Sequence, residues 1–347
     1  MSDTARLLVI GHFAAARARR AWPQVRAALD EAGLSYDFHA TRGKGDARGR
    51  TREALREGYA TVAAVGGDGT LSEVASGFFA PCDALGDDEL PRAVNPRAAL
   101  AVLPAGTGDD FARGLAGGTR RPLQSWLARL VRHARATAGG GVVESEAVKN
   151  DAVGGVAVET TRAVDVMAGS AAGGEGRFVC LNAATLGIGA EVASLVAAQR
   201  GVVLRLSGEA RFALAAVRAL ARWREREMRV SVDGGGWRVV RTNIAAVMGG
   251  THAGGGMNFS PDARPDDGLL DVVTARDLTR REIVRELARI HRGGHLANPK
   301  VRVERGSRVR IETSDDGDPL GIEADGEPRG HTPVELRVMP LALRVVW

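Results

Sequence analysis

The sequence predicts an α/β amino-terminal half built on a parallel sheet, followed by a mainly antiparallel, β-sandwich-like half. Three observations carry this. Short apolar runs alternate with helical patterns over the first 135 or so residues, which is the signature of a sheet covered on both faces. From about Val142 the pattern changes to many short β-rich runs broken by Gly and Pro. Finally, 347 residues is comfortable for two domains, and at that size roughly 75% of the unfolded chain's surface is buried without disulfides or a structural metal.

In order, Arg6–Gly11 reads as a strand, Trp22–Ala32 as a helix, Ser35–Thr41 as a strand and Arg48–Gly58 as a helix. Thr61–Val65 is the next strand, Leu71–Phe79 a helix, Leu100–Leu103 a strand, and Phe111–Leu115 and Ser125–Ala136 are helical. Gly139-Gly140-Gly141 marks the change of character. The β-rich runs are Val153–Ala168, Phe178–Ala183, Met228–Val232, Trp237–Val247, Leu269–Thr274, Val301–Val303 and Arg308–Thr313. Two helical segments interrupt them, Ser207–Arg226 and Thr279–Arg289. Gly173–Gly176 and Gly234–Gly236 read as hairpin turns. The resulting division is 1–138 and 139–333, with 334–347 packing back onto the first unit.

Composition excludes several classes. With 44% hydrophobic and 26% charged residues the chain is not disordered. No run of 18 apolar residues occurs, and the start of the chain lacks the apolar core and cleavage site of a secretory signal. Cys82 and Cys180 alone cannot make a disulfide framework. A cytoplasmic location is therefore expected. Of 47 basic residues only Lys44, Lys149 and Lys300 are lysines. Arginine suits phosphate or an anionic membrane, but coding bias toward Arg, Ala and Gly explains the same excess. The net charge of +5 is spread without basic runs among stacking aromatics, which speaks against nucleic acid as a partner.

The sharpest motif is Gly66-Gly67-Asp68-Gly69-Thr70, between a strand and a helix. Its glycines let the backbone approach a ligand, and its amides with the helix N-terminus form an anion cradle. Asp68 inside that cradle must face a cation or remove a proton, unless the loop is only a tight connection. Leu103–Arg113 repeats the grammar: Thr107 offers a hydroxyl, and Asp109 and Asp110 open a helix, where acidic residues also simply favour the helix dipole. P-loop, dinucleotide-fingerprint, zinc and nucleophile-elbow motifs are absent. Ser260–Asp271 groups carboxylates and carbonyls in a Gly/Pro loop, a set that suits a hard cation and equally a solvated turn. Glu323-Ala324-Asp325-Gly326-Glu327-Pro328 is a second acidic turn with the same two readings.

Taken together, these stretches resemble the diacylglycerol kinase family of soluble bacterial lipid kinases, which includes the sphingosine and ceramide kinases. Its motifs occur in order: Thr41, Gly66–Thr70, Leu71-Ser72-Glu73-Val74, Leu103–Arg113, Asp165, Asn182 with Gly187-Ile188-Gly189, Ala253–Gly256, Pro261–Leu270 and Asp325-Gly326-Glu327. The first glycine loop is shared with NAD kinases and phosphofructokinases; its pairing with the Asp267 and Glu327 motifs is what marks the lipid kinases.

By that resemblance ATP lies between the two halves, contacted by Thr41, Gly66, Gly67, Asp68, Gly69, Thr70, Leu71, Ser72, Gly106 and Thr107. A structural Mg2+ is held at the positions of Arg264 (carbonyl), Asp267 (side chain) and Leu269 (carbonyl), tied to Asp110. Glu327 matches the proton acceptor, with Asp325 beside it and Asp68 as the rival base. The implied reaction is in-line transfer of the γ-phosphate from Mg-ATP to the hydroxyl of a diacylglycerol, sphingoid base, ceramide or related lipid. A kinase for a soluble substrate such as NAD or a sugar, or a non-catalytic ATP-binding module, are the alternatives.

The chain departs from the family pattern in three places. Gly11-His12-Phe13-Ala14-Ala15 replaces an Asn-Pro-x-x-Gly loop, and Ser72 and Asp109 each stand where Asn is usual. Ser207–Arg226 carries Phe212, Ala216, Leu220 and Trp223 near one face among Arg211, Arg218, Arg222 and Arg226, a pattern that fits either core packing or peripheral contact with a membrane. Oligomeric state is not legible.

Overall fold

The computed structural model describes residues 6–81, 89–138, 159–174, 176–199, 201, 203, 206, 208–222, 226–314 and 318–347. The glycine run at 139–141 and Cys82 lie outside the described residues. In the first half β1 (Leu7–Gly11), α1 (Ala16–Glu31), β2 (Tyr36–Ala40), α2 (Asp46–Arg56), β3 (Thr61–Gly66), α3 (Asp68–Gly77) and β4 (Ala99–Pro104) alternate, followed by α4 (Asp110–Leu115) and α5 (Leu123–Ala138). β1 pairs parallel with both β2 and β3, and β3 pairs parallel with β4. β1 and β3 are buried along their whole length, as strands covered on both faces must be.

α1 begins at Ala16, well before the Trp22 start read from the sequence. The Ala/Arg run ahead of Pro23 is strongly helix-forming, and Pro23 is accommodated inside the helix at the loss of one backbone donor. Phe13 and Trp22 pack with Phe38 beside it, Trp22 stacking on Phe38 at 4.3 Å between ring centroids.

The second half contains β5 (Thr161–Ala172), β6 (Arg177–Cys180), β7 (Ala183–Gly187), α6 (Ile188–Ala197), α7 (Gly208–Arg222), β8 (Arg226–Val232) and β9 (Arg238–Met248). The small β10 (His252–Ala253) and β11 (Met257–Asn258) follow, then β12 (Leu270–Arg276), α8 (Arg280–Ile290), β13 (Val301–Gly306), β14 (Arg308–Thr313), β15 (Gly321–Ala324) and β16 (Glu327–Val346). Pairing here is antiparallel, for example β9 with β7, β8 and β12. α6 has no counterpart in the sequence reading. Its residues are apolar nearly all round, and such a run does not distinguish a buried helix from a strand.

α8 opens with a capping box: Thr279 accepts from the Glu282 backbone, and Glu282 reaches back to Thr279. The long β16 joins the halves. It pairs antiparallel with β5, β14 and β15, and its end runs parallel to β4 through Arg344↔Ala99 and Val345↔Leu100. One buried core lies around the parallel strands and a second between the antiparallel ones.

Candidate active site

The two glycine loops leave adjacent strands at the same level, because β3 and β4 are in register as far as Gly66↔Pro104. Ala105 donates to the Gly66 carbonyl at 2.8 Å, and the loops touch backbone to backbone. A methyl group on Gly106 would sit 2.4 Å from the Gly67 Cα, so glycine is required for this approach. α3 then starts at Asp68, with its first-turn amides at the loop.

In the second loop Asp109 adopts a left-handed conformation, φ 50°. Its Oδ1 accepts from the Gly106 amide at 2.8 Å and its Oδ2 pairs with Arg120 at 2.7 Å. The extra carboxylate that departs from the family pattern is thus neutralised by an arginine that no motif singled out. Asp110 is buried and reaches across to the other half, where the Gly255 and Gly256 amides donate to its two oxygens at 2.8 and 2.6 Å.

Asp68 Oδ1 accepts from the Asp110 amide at 2.7 Å. Burial, then the charges of Asp110 and Asp109, push the Asp68 carboxyl up to about 7 against the backbone donors that favour its ionised form. Burial likewise raises Asp110, opposed by its two glycine amides.

The acidic turn closes the site from the other side. Asp325 and Gly326 both have positive φ, 49° and 83°, and form the two-residue connection between Ala324 and its strand partner Glu327. Asp325 accepts from the amides of Leu181 (2.7 Å), Asn182 (2.9 Å) and Ala183 (3.2 Å), and from the Ser72 hydroxyl at 2.9 Å. Ser72, the second departure, therefore ties α3 to the turn.

Glu327 is flanked by Arg329 at 3.1 Å and Lys44 at 3.7 Å. Glu323, two residues before Asp325, is buried; it accepts from Thr185 and from the Gly326 amide, each at 2.7 Å, and burial lifts it to about 7. Thr41 lies at the edge of β2, where its hydroxyl meets His12 Nδ1 at 2.8 Å, so the replaced amino-terminal loop still touches Thr41.

A cavity of about 900 Å³ connects these parts. Asp68, Gly69, Thr107 and Asp110 line one end, and Asp325 and Glu327 stand beside them. Beyond them the wall is mostly apolar, supplied by Ile188, Val192, Leu220, Ile244, Val273 and Ile290, with Glu286, His291 and His295 also lining the cavity. Leu71 and Ser72 also line it, whereas Thr41, Gly66, Gly67, Thr70 and Gly106 are not among its lining residues. In α7, Ala216 and Leu220 face this cavity; the Phe212 side chain and Trp223 lie outside the described residues.

Of the four residues assigned to a structural cation, Asp267 and Leu269 are joined to each other, while Asp110 and Arg264 pair elsewhere. Asp267 Oδ2 is held by Arg305 at 2.5 Å and its Oδ1 accepts from the Leu269 amide at 3.1 Å. The loop is fastened to Asp165, which accepts from the Gly268 and Leu341 amides, both at 2.7 Å. Among the described residues no hydrogen bond or ion pair joins Asp110 to Arg264, Asp267 or Leu269. Arg305 supplies a positive charge at Asp267, and no chemical step is derived from this set. Asp165 and Arg305 are anchoring residues: Asp165 was visible only as a motif position and Arg305 carried no signal.

Comparisons with known proteins agree with this architecture. Residues 6–141 match the diacylglycerol kinase catalytic domain, and residues 182–347 match the YegS C-terminal NAD kinase beta sandwich-like domain. The fold and site thus define a two-domain kinase. The "Probable lipid kinase YegS-like" of Pseudomonas aeruginosa is 31% identical over 325 residues, covering 93% of this chain and 89% of the relative. The "Diacylglycerol kinase" of Staphylococcus carnosus is 24% identical, over 91% of this chain and 85% of its own length. A crystal structure of a diacylglycerol kinase from Bacillus anthracis superposes with a TM-score of 0.62 at 17% identity, covering 100% of this chain and 98% of that one. The chain belongs to the diacylglycerol kinase family and is a kinase of the lipid kinase type. Among the described residues no helix is long and apolar enough to cross a membrane.

Proposed function

We propose that the chain transfers the γ-phosphate of ATP to the hydroxyl of a membrane lipid. The observation that carries this reading is one cavity that joins two chemistries: glycine loops and carboxylates, and a mostly aliphatic wall. A substrate that is half phosphate-seeking alcohol and half hydrocarbon suits such a space, and about 900 Å³ lies within the usual range for ligand sites. A soluble substrate such as NAD or a sugar has no use for the aliphatic half. The pairing of Asp109 with Arg120 removes the repulsion that would favour a non-catalytic module.

On this reading, residues 1–138 bind ATP, residues 139–333 bind the lipid, and 334–347 return to the first unit as the end of β16, alongside β4. The triphosphate lies on the amides of Gly66–Ser72 at the start of α3 and against Gly106 and Thr107, with Thr41 at the nucleotide's edge. Asp68, half-buried, and Asp110, buried, are adjacent carboxylates that repel each other, a donor pair that fits a hard cation. They would hold the magnesium that accompanies ATP and supplies charge neutralisation at the transferring phosphate.

The lipid hydroxyl attacks in line, forming the new O–P bond as the bond to the ADP oxygen breaks, and Glu327 accepts the hydroxyl proton. Lys44 and Arg329 hold Glu327 in place. Asp325 positions: its oxygens are committed to three amides and the Ser72 hydroxyl. Asp68 is the rival base because it too lies at the phosphate loop, and in that role it would not hold the cation. The lipid is presented at a membrane surface, with the protein associating peripherally.

Labelled ATP incubated with a total lipid extract, and separately with NAD, tests the proposal. Label recovered in the lipid phase supports it; label in NAD, or in neither, refutes it.

A further inference from the structure

In the second glycine loop the Asp109 side chain is only 6% exposed, and its backbone is left-handed, a conformation that Asp and Asn tolerate better than other side chains. Its Oδ1 closes the loop on the Gly106 amide. Arg120, half-exposed in the connection between α4 and α5, reaches back over this loop. One terminal nitrogen, Nη2, donates to the Gly106 carbonyl at 2.8 Å, the Thr107 carbonyl at 3.0 Å and Asp109 Oδ2 at 2.7 Å. Arg17, from α1, brings a second guanidinium to the Gly106 carbonyl at 3.2 Å.

An ion pair between two exposed side chains contributes little, because water screens it. Here the carboxylate is buried and two consecutive carbonyls fix where the guanidinium sits, so the contacts pin the loop from Gly106 to Asp109 along one side. Gly108, within the pinned stretch, has no room to shift. A methyl group there would lie 2.9 Å from Asp68 Oδ2 and 3.1 Å from the Gly255 Cα. The shape that Arg120 imposes is therefore passed on to the carboxylates at the phosphate end of the cavity.

We propose that Arg120 is a positioning residue for the nucleotide. It holds the Gly106–Asp109 loop in its binding shape and cancels the Asp109 charge that would repel a triphosphate, without itself contacting the nucleotide. The inference rests on the reading that ATP occupies this loop.

The test is a calorimetric titration of the full chain with ATP and magnesium chloride, for wild type, Arg120→Ala, Asp109→Asn and the double variant. Arg120→Ala leaves the buried Asp109 carboxylate without its counter-charge, so ATP binding is expected to weaken by about tenfold or more. Adding Asp109→Asn removes that charge while its carbonyl still accepts the Gly106 amide, and the double variant should return to within about threefold of wild type. Such a rescue separates charge balance at the loop from a merely structural loss, which a second substitution would deepen. Arg120→Gln keeps a donor for the carbonyls and removes only the charge, and gives the same comparison should the alanine variant fail to fold.

Equal ATP affinity in wild type and Arg120→Ala overturns the inference while leaving ATP at the loop. So does a double variant as weak as Arg120→Ala, the result expected if Arg120 touched the phosphates directly. Absence of ATP binding in the wild type overturns the ATP reading itself, and this inference with it.

Discussion

Replacing Glu323 by Gln should stabilise the ligand-free protein above neutral pH and leave it nearly unchanged in acid. The carboxyl is buried, and burial raises it from 4.5 to about 7 even though Thr185, the Gly326 amide and the Arg329 charge favour ionisation. In the unfolded chain it ionises near its ordinary value. Between those two points the folded state holds the extra proton, so stability falls as pH climbs through the window. At pH 8 ionisation in the folded state costs about 3 kcal/mol relative to the unfolded chain.

Gln removes that cost and keeps the geometry. Its carbonyl accepts the Gly326 amide, and its amide donates to the Thr185 hydroxyl, which accepts as readily as it donates. Allowing for the rearranged hydroxyl, a net gain of about 1–3 kcal/mol is expected at pH 8, or roughly 2–5 °C in melting temperature. Near pH 4 no gain is expected. His133 and His252, pushed down to about 4 by burial, carry the opposite pH dependence, but they contribute equally to both proteins and cancel in the comparison. Thermal melts of wild type and Glu323→Gln from pH 4 to 8 read the effect. A lower melting temperature for the variant at pH 8, or a gain independent of pH, refutes the reasoning.

Glu327→Gln should lower kcat by about 10²–10⁴ with little change in the KM for ATP, measured by steady-state kinetics; normal turnover here with loss in Asp68→Asn would transfer the base to Asp68. Asp110→Ala leaves the Gly255 and Gly256 amides without their acceptor, so urea unfolding should show a loss of about 2–4 kcal/mol. Ile244→Trp narrows the aliphatic end of the cavity: turnover with a long-chain lipid should fall at least about tenfold while ATP binding, read by calorimetry, stays within about twofold.

Local requirements were legible in the sequence. The Gly66–Thr70 loop was legible as a glycine run between a strand and a helix, within which Gly67 is the residue that meets Gly106 of the neighbouring loop. The acidic turn at Asp325-Gly326 is likewise encoded by residues that tolerate positive φ. The start of α1 and the whole of α6 were not, because a proline inside a helix and an evenly apolar helix both blur the periodicity on which such a reading rests.

Composition, glycine loops and the order of motifs by themselves determined the family and the residue types available for phosphate chemistry. Only the tertiary structure decided how their charges are balanced. Arg120 against Asp109, Arg305 against Asp267 and the Gly255–Gly256 amides against Asp110 are partners distant in the chain or in separate loops. The aliphatic wall is decided in the same way, since Val192, Ile244 and Val273 become one surface only when helix and strands pack together. Backbone conformation is set by neighbours in sequence; charge neutralisation and cavity shape are set by neighbours in space.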